Sequence, residues 1–558
     1  MSESHHFLSY VAKQHFGPLV QQLVSTLLTH GPLTLAAISH CSNLPPSQTR
    51  KSLVIAIQHN IVVANYERKA TQPPPRATSL ASPAQPAATV VDLTSLRVLY
   101  RVNTAALRCR PRYPAYVSRV RSSMGDDEAL IVQVLCMHGI LSTQQLMDHA
   151  ATQLHSASPL TPPSASPTPP LPAERRQQLD AALERLANGR WVKRAIMAHT
   201  NGKATADDEE KKFNKDDGAE AEYNTATTAD AKKRKRGAAA DKEEKKEEVK
   251  KGRGRPAKKK KGAAEEEERK EEESREQRVD EADRDGAVVL SDHWVLNDAM
   301  FTLDTQREAM QRYAHDRVGS TAAFVLSIVL SLSPYESVRP VAVDEAAVLA
   351  ACQALPDAPK LTAATVHSYM VELTLDASHL LSQRTLTSYS LNLPSFLAHM
   401  RTLQIQSILT ARYSLLSARL YRLLLIHKRL EETQLAELAT ASRQDVRSLL
   451  HRLVREEWVV VSEVARTVDR APSKSFFVWA VDEAKVRERV VDLLYVSCVK
   501  LGERLAVERA AVGGVMERVE MEQHIDEVER EKVERWRVAQ ERLQLALKEV
   551  NEHLALWE

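Results

Sequence analysis

Three stretches far apart in the chain repeat one spacing of apolar residues, and that spacing limits the fold more than any other feature. GPLTLAAIS, GILSTQQLM and KRLEETQLA place Leu33, Leu141 and Leu430 five residues before Ile38, Leu146 and Leu435. Each reads as a short strand or turn opening into a short helix. Downstream, LVIAIQHNIVV, LERLANGRWVKR and LHRLVREEWVVV set Leu53, Leu183 and Leu450 eight residues before Ile61, Trp191 and Trp458. That is the pattern of an amphipathic helix running into a strand. The separation from Leu33 to Leu53 equals that from Leu430 to Leu450; from Leu141 to Leu183 it is longer, and a Pro-rich stretch accounts for the excess.

Further helices are predicted before each copy, over Phe16 to Thr29, Asp127 to His138 and Ser414 to His427. Returning strands are predicted over Leu96 to Val102, His293 to Leu296 and Ser475 to Val481. Helix, short helix, longer helix, strand, loop, strand is a helix-turn-helix closed by a β-hairpin, the winged-helix order. In the last copy the wing is Val464 to Lys474, and RAPSKSFFVWAVD puts Phe477 and Trp479 on one face of the returning strand. These two, or Phe476 and Val478 across the pleat, are expected to pack the strand onto the helices. A weaker copy is read between Met300 and Leu393, with VGSTAAFVLSIVLSLSP and LTAATVHSYMVEL as helices at a spacing unlike the others.

Beyond Val481 apolar residues recur at threes and fours, with Val490, Leu494, Leu501 and Leu505 on one helix and Ile525 to Val550 on another. The expectation is an antiparallel coiled-coil hairpin turning at Gly513 and Gly514, or else a helix pair packed within a larger domain. Three low-complexity stretches, Ala70 to Ala88, Ser156 to Pro172 and Thr200 to Asp285, bury too little apolar surface to order and read as disordered insertions. The fold class is therefore mainly α, with α+β winged-helix repeats in tandem, a C-terminal coiled-coil hairpin and long disordered insertions. Domains are expected at 1–104 (insertion 70–92), 105–299 (insertions 151–172 and 199–288), 300–398, 399–482 and 483–558.

A net charge of +3 on 558 residues excludes a uniformly basic nucleic-acid binder, so any basic surface is local. Five widely spaced cysteines suit a reducing compartment. The N-terminus lacks the features of a signal peptide, no apolar run reaches bilayer length, and no membrane partner is expected. Catalytic motifs of the GxSxG, GxxxxGK[ST] and HExxH kinds are missing, and no cofactor or metal is expected. Cys136, His138 and His149 come nearest to a ligand set, but a core cysteine with surface histidines explains them.

Nucleic-acid contact is a different matter, because the third helix of a winged helix can enter the major groove while its wing touches phosphate. That helix in the last copy carries Arg443, Arg447 and Arg452, and its wing carries Arg466, Arg470 and Lys474. The first copy offers Arg50 and Lys51, and RCRPRYPAYVSRVR sets Arg108, Arg110, Arg112, Arg119 and Arg121 around Tyr113 and Tyr116. The competing reading is protein docking, with the arginines a solvated face. Lys232, Lys233, Arg234, Lys235 and Arg236, with the run ending in Lys258, Lys259, Lys260 and Lys261, read as a nuclear localisation signal. Arg253, Gly254, Arg255 and Pro256 also match an AT-hook core, flanked by Glu-rich segments that would compete for its arginines.

RLYRLLLIHKRLEETQLAELATASRQDVRSLLHRLVREEWVVVSEVARTVDRAPSKSFFVWAVDEAKV, Arg419 to Val486, resembles the last winged helix of the third-largest subunit of RNA polymerase III. HFGPLVQQLVSTLLTHGPLTLAAISHCSNLPPSQTRKSLVIAIQHNIV, His15 to Val62, is similar to that family's opening winged helix. The resemblance implies four winged helices and a coiled coil in a nuclear, non-catalytic polymerase subunit. It further implies a TFIIE-like heterotrimer with two smaller subunits, seated over the clamp, that supports promoter opening at transfer RNA and 5S ribosomal RNA genes. Weak or non-specific contact with promoter DNA would accompany that role. A separate TFIIE-type initiation factor is the alternative; a proteasome-lid-like scaffold would begin with helical repeats, against the spacing near the N-terminus.

Overall fold

The computed structural model describes residues 2–68, 96–156, 172–199, 287–333, 341–354, 361–465, 475–521 and 526–557. The expected insertions 70–92 and most of 151–172 and 199–288 lie outside these residues. At their margins the chain is ordered into elements: the eighth helix runs on to Ser156, one strand reaches His199 and the next starts at Ala287. By internal contacts the chain divides into one unit of Met1–Val63, Tyr100–Ala195 and Leu290–Glu558 and another of Ala64–Leu99 and Ile196–Val289.

The first repeat begins with α1 (Glu3–Phe16) and α2 (Pro18–His30), then α3 (Leu35–Ser42) and α4 (Pro46–Gln58), β1 (Val62–Arg68) and β2 (Leu96–Val102). Thr34 caps α3 by accepting the Ala37 N–H, and Pro46 stands at the first turn of α4, where its missing N–H costs nothing. Leu33 bridges Tyr100 through reciprocal backbone bonds of 3.1 and 2.8 Å, so the residue that opens the repeat is held by the returning strand. α5 (Thr104–Cys109) and a turn of 3₁₀ helix lead into α6 (Tyr113–Ser123). The second repeat follows with α7 (Asp126–His138), β3 (Leu141–Ser142), α8 (Thr143–Ser156), α9 (Ala173–Asn188), β4 (Val192–His199) and β5 (Ala287–Leu296). β3 pairs antiparallel with β5, Leu141 facing Trp294. Within the second unit β1 and β4 run parallel, Ala64 opposite Ala198 and Asn65 opposite His199. Parallel neighbours cannot form a hairpin, so this pairing joins the wing strands of two different repeats.

The third region holds α10 (Asp298–Arg317), α11 (Ser320–Leu332), β6 (Ala342–Asp344), α12 (Glu345–Ala354), α13 (Ala363–Leu375), β7 (Leu381–Gln383) and β8 (Ser388–Leu391). Its sheet order, β6-β8-β7, matches that of the last repeat. There α14 (Leu393–Arg412) leads into α15 (Leu415–His427), β9 (Arg429–Glu431), α16 (Glu432–Ala439), α17 (Arg443–Arg455), β10 (Val460–Ala465) and β11 (Ser475–Ala480), ordered β10-β11-β9. Trp479 pairs with both Val461 and Leu430 and is buried in the same core as the fully enclosed Trp458. Phe477 does not join it: two residues farther out along β11 it is 54% exposed.

α18 (Glu483–Glu520) and α19 (Glu527–Ala555) complete the chain as a helix hairpin. The expected turn at Gly513 and Gly514 is wrong. α18 passes through both glycines, and the connection comes at Met521 to Asp526, next to an ion pair between Arg518 and Glu529. Two glycines cost a helix interior roughly 2 kcal/mol, an amount that packing along the partner helix offsets. At its root the hairpin belongs to the cores of the repeats. Phe7 of α1 stacks on Tyr495 at 4.5 Å, and Cys498, Val499 and Leu554 share the first repeat's core. Val486, Val490, Leu556 and Trp557 belong to the core of the third region and last repeat.

Candidate nucleic-acid interface

α17 is the helix that a winged helix would offer to a groove. Ser442 fixes its start, accepting the Asp445 N–H at 3.1 Å and donating to the Asp445 carboxylate at 2.7 Å. Val446, Leu450 and Leu453, at a spacing of four and three, are buried on its inner side. The face turned fully outward carries Gln444, Ser448 and Arg455, all exposed.

The three arginines predicted on α17 divide. Arg443 is exposed on the first turn. Arg447 grips Glu432 of α16, its Nε 3.1 and 3.0 Å from the two carboxylate oxygens and Nη2 2.9 Å from one. This bidentate pair ties the second helix of the motif to the third, and phosphate would have to compete with it. Arg452 lies 5.2 Å from the Tyr413 ring centre at the end of α14, where it packs two helices together. Arg455, which the sequence reading passed over, is better placed than either; its offsets from Gln444 and Ser448 are the only signal that marks it. Arg466, Arg470 and Lys474 of the wing lie outside the described residues.

The basic and aromatic patch between the first two repeats is corrected by the structure. Arg110 and Arg112 are buried, and the Arg110 guanidinium sits 4.9 Å from the Phe16 ring and 4.7 Å from that of Tyr113. Cation–π contact explains why a charge is tolerated there. Arg119 is held by Asp304 at 2.7 Å and Glu308 at 3.2 Å. Tyr116 stacks on Phe301 at 4.1 Å, so the aromatics are core residues and present no face to a base. In the first repeat Arg50 and Lys51 are exposed on α4.

Burial and the neighbouring Arg110 charge push His59 down to about 4, and its ring lies 4.9 Å from Phe16. His138 and His149 stack at 4.0 Å, and burial pushes the Cys136 thiol up to about 12. Among the described residues no group of three or more His, Cys, Asp or Glu is arranged to hold a metal ion. No helix among them is long and apolar enough to cross a membrane.

Comparison with known proteins matches two family models to the two ends of this architecture. Residues 6–65 match the RNA polymerase III subunit RPC82 helix-turn-helix domain, and residues 405–481 match the POLR3C C-terminal winged-helix domain. The second contains α15 through β11. A zebrafish (Danio rerio) protein named DNA-directed RNA polymerase III subunit RPC3 is 21% identical over 89% of this chain and 83% of its own length. One of the same name from Rattus norvegicus is 21% identical over 96% of this chain and 92% of its own. A Coccidioides immitis protein named DNA-directed RNA polymerase III subunit RPC-3 reaches 28% over 22% of this chain and 18% of its own. With matching domains at both ends and relatives aligned along nearly all that lies between, the chain is similar over most of its length to RPC3 subunits of RNA polymerase III.

Proposed function

We propose that this chain is a non-catalytic core subunit of RNA polymerase III that works in the nucleus. In this reading it docks on the polymerase within a TFIIE-like heterotrimer with two smaller subunits and supports promoter opening and initiation at transfer RNA and 5S ribosomal RNA genes. The carrying observation is that relatives named as RNA polymerase III subunits align along 89% and 96% of the chain. We assign winged helices to 1–104, 105–299, 300–398 and 399–482 and the hairpin to 483–558. The third assignment draws support from the β6-β8-β7 sheet order, the same as that of the last repeat.

Contact with promoter DNA in this reading is weak and indifferent to sequence. It uses Arg443, Arg455 and the wing residues Arg466, Arg470 and Lys474, with Arg447 recruited only at the expense of Glu432. Nuclear entry rests on Lys232 to Arg236 and Lys258 to Lys261. Reconstitution tests the role: polymerase III lacking this chain is assayed for permanganate-reactive thymines on a transfer RNA promoter, with and without the chain added back. Restored melting together with restored initiation supports the reading. Melting that is complete without the chain would move its role to a later or separate step.

A further inference from the structure

α15 carries on one side an ordered stripe whose one hydrogen bond to the rest of the helix-turn-helix, among the described residues, is donated by Arg419 Nη2 to Thr440 Oγ1 at 3.5 Å. Leu415, Arg419, Arg422 and Ile426 fall at offsets of zero, four, seven and eleven, so they share one helix face across about 16 Å. The two aliphatic ends are left to solvent, Leu415 76% and Ile426 66% exposed. Between them runs a groove of about 500 Å³, floored by Ala418 and Leu423 and walled by α14 on one side and by Leu438 of α16, 43% exposed, on the other.

The charge of this groove is one-sided. No carboxylate lines it; α14 contributes only Gln406, Ser407 and Thr410, and neither α14 nor α15 contains an Asp or Glu. Arg419 and Arg422 form no ion pair with a described residue, whereas Arg447 and Arg412 of the same repeat are paired with Glu432 and Glu456. Exposed aliphatic anchors flanking two unneutralised guanidinia are complementary to an amphipathic helix with apolar residues at its ends and carboxylates between.

We infer that this groove docks an acidic amphipathic helix of a partner protein, with apolar residues at i and i+11 seated on Ile426 and Leu415 and carboxylates at i+4 and i+7 meeting Arg422 and Arg419. Nucleic acid fits less well, because phosphate gains nothing from exposed Leu and Ile and no aromatic ring lines the groove for a base to stack on. A second copy of the chain fits less well too, since a two-fold contact through this face sets arginine against arginine. The inference does not depend on the polymerase assignment and can fail or succeed apart from it.

The test uses the full-length chain and a fluorescein-labelled, helix-stapled peptide with Leu at i and i+11, Glu at i+4 and i+7, and Ala and Gln elsewhere. Anisotropy should show saturable binding that weakens about tenfold or more in the Arg419→Glu, Arg422→Glu double variant. Leu415→Ser should weaken it separately. All three side chains are exposed, so thermal melting should show an unchanged fold. A peptide with Arg in place of both Glu residues should bind the charge-reversed variant and not the wild type. The inference is overturned by absence of saturable binding to folded protein, or by binding indifferent to the reversal. It is equally overturned by displacement of the peptide by single-stranded oligonucleotide, or by self-association in sedimentation velocity that Leu415→Ser abolishes.

Discussion

Gly139→Ala should detach the start of the second repeat from the end of the first. Gly139 ends α7 with φ +80, and an added Cβ would fall 2.8 Å from the His59 Cα and 2.9 Å from the Gln58 carbonyl carbon, with the Gln58 oxygen nearer still. These are backbone atoms, so no rotamer change relieves the overlap. The next residue, Ile140, donates its N–H to that same Gln58 oxygen at 2.7 Å, and separating the segments would break this bond. Positive φ costs an alanine about 1–2 kcal/mol, overpacking about 1–3, and the lost hydrogen bond about 1, for a total of about 3–6 kcal/mol. Gly31→Ala supplies the control: Gly31 also has positive φ, +76, but a Cβ there meets nothing within 4 Å. It should show the backbone cost alone. Global melting is not two-state in a chain of this size, so local stability should be read by native-state hydrogen exchange at the ends of α4 and α7. If Gly139→Ala destabilises these segments no more than Gly31→Ala destabilises its own surroundings, the close approach between the repeats is wrong.

Other substitutions separate surface from core. Arg443→Ala and Arg455→Ala should each weaken binding to duplex DNA and lower the salt slope by about 1, whereas Arg452→Ala should act mainly on the stability of the last repeat; equal slopes for wild type and both variants would remove α17 from the interface. Trp557→Ala should cost about 3–5 kcal/mol in the stability of the third region and last repeat. It is buried, donates its indole N–H to Gln404 at 2.6 Å, and its carbonyl accepts from Arg487 at 3.1 Å; unchanged exchange protection in α14 would contradict this. His59 predicts acid sensitivity. Its folded value, about 4, lies below the ordinary 6.5, so the unfolded chain binds a proton that the fold refuses. Stability from this group is complete above 6.5 and is lost as pH falls toward 4, with a limiting slope of about 1.4 kcal/mol per pH unit that partial solvent exposure reduces. His59→Gln should flatten the decline between pH 7 and 5, and an unchanged slope would show that other groups cause it.

The legible part of the fold was the part written in local spacing. Leu33, Leu141 and Leu430 open short strands or bridges, and the strands predicted to return are β2, the end of β5 and β11. The third region escaped that register because its α11, STAAFVLSIVLSL, is apolar on nearly every side and because residues 355–360 lengthen the link between α12 and α13. What failed to show was long-range. Nothing in RCRPRYPAYVSRVR reveals that Arg119 will meet Asp304, 185 positions away, or that Phe16 will cover Arg110. The parallel pairing of β1 with β4 has no local code either, since backbone edges carry it. On α17 the sequence supplied the arginines but not their partners. Glu432 and Tyr413 claim two of the three, and the outward face became visible only once Val446, Leu450 and Leu453 fixed which side is buried.

The central claim, membership in the working polymerase, is tested most directly by purifying the tagged chain from nuclear extract at moderate salt after nuclease treatment and quantifying every retained protein. The account predicts stoichiometric recovery of the full RNA polymerase III set with two small partner subunits. Recovery of one small partner without the polymerase, or of proteasome-lid-like companions, would contradict it.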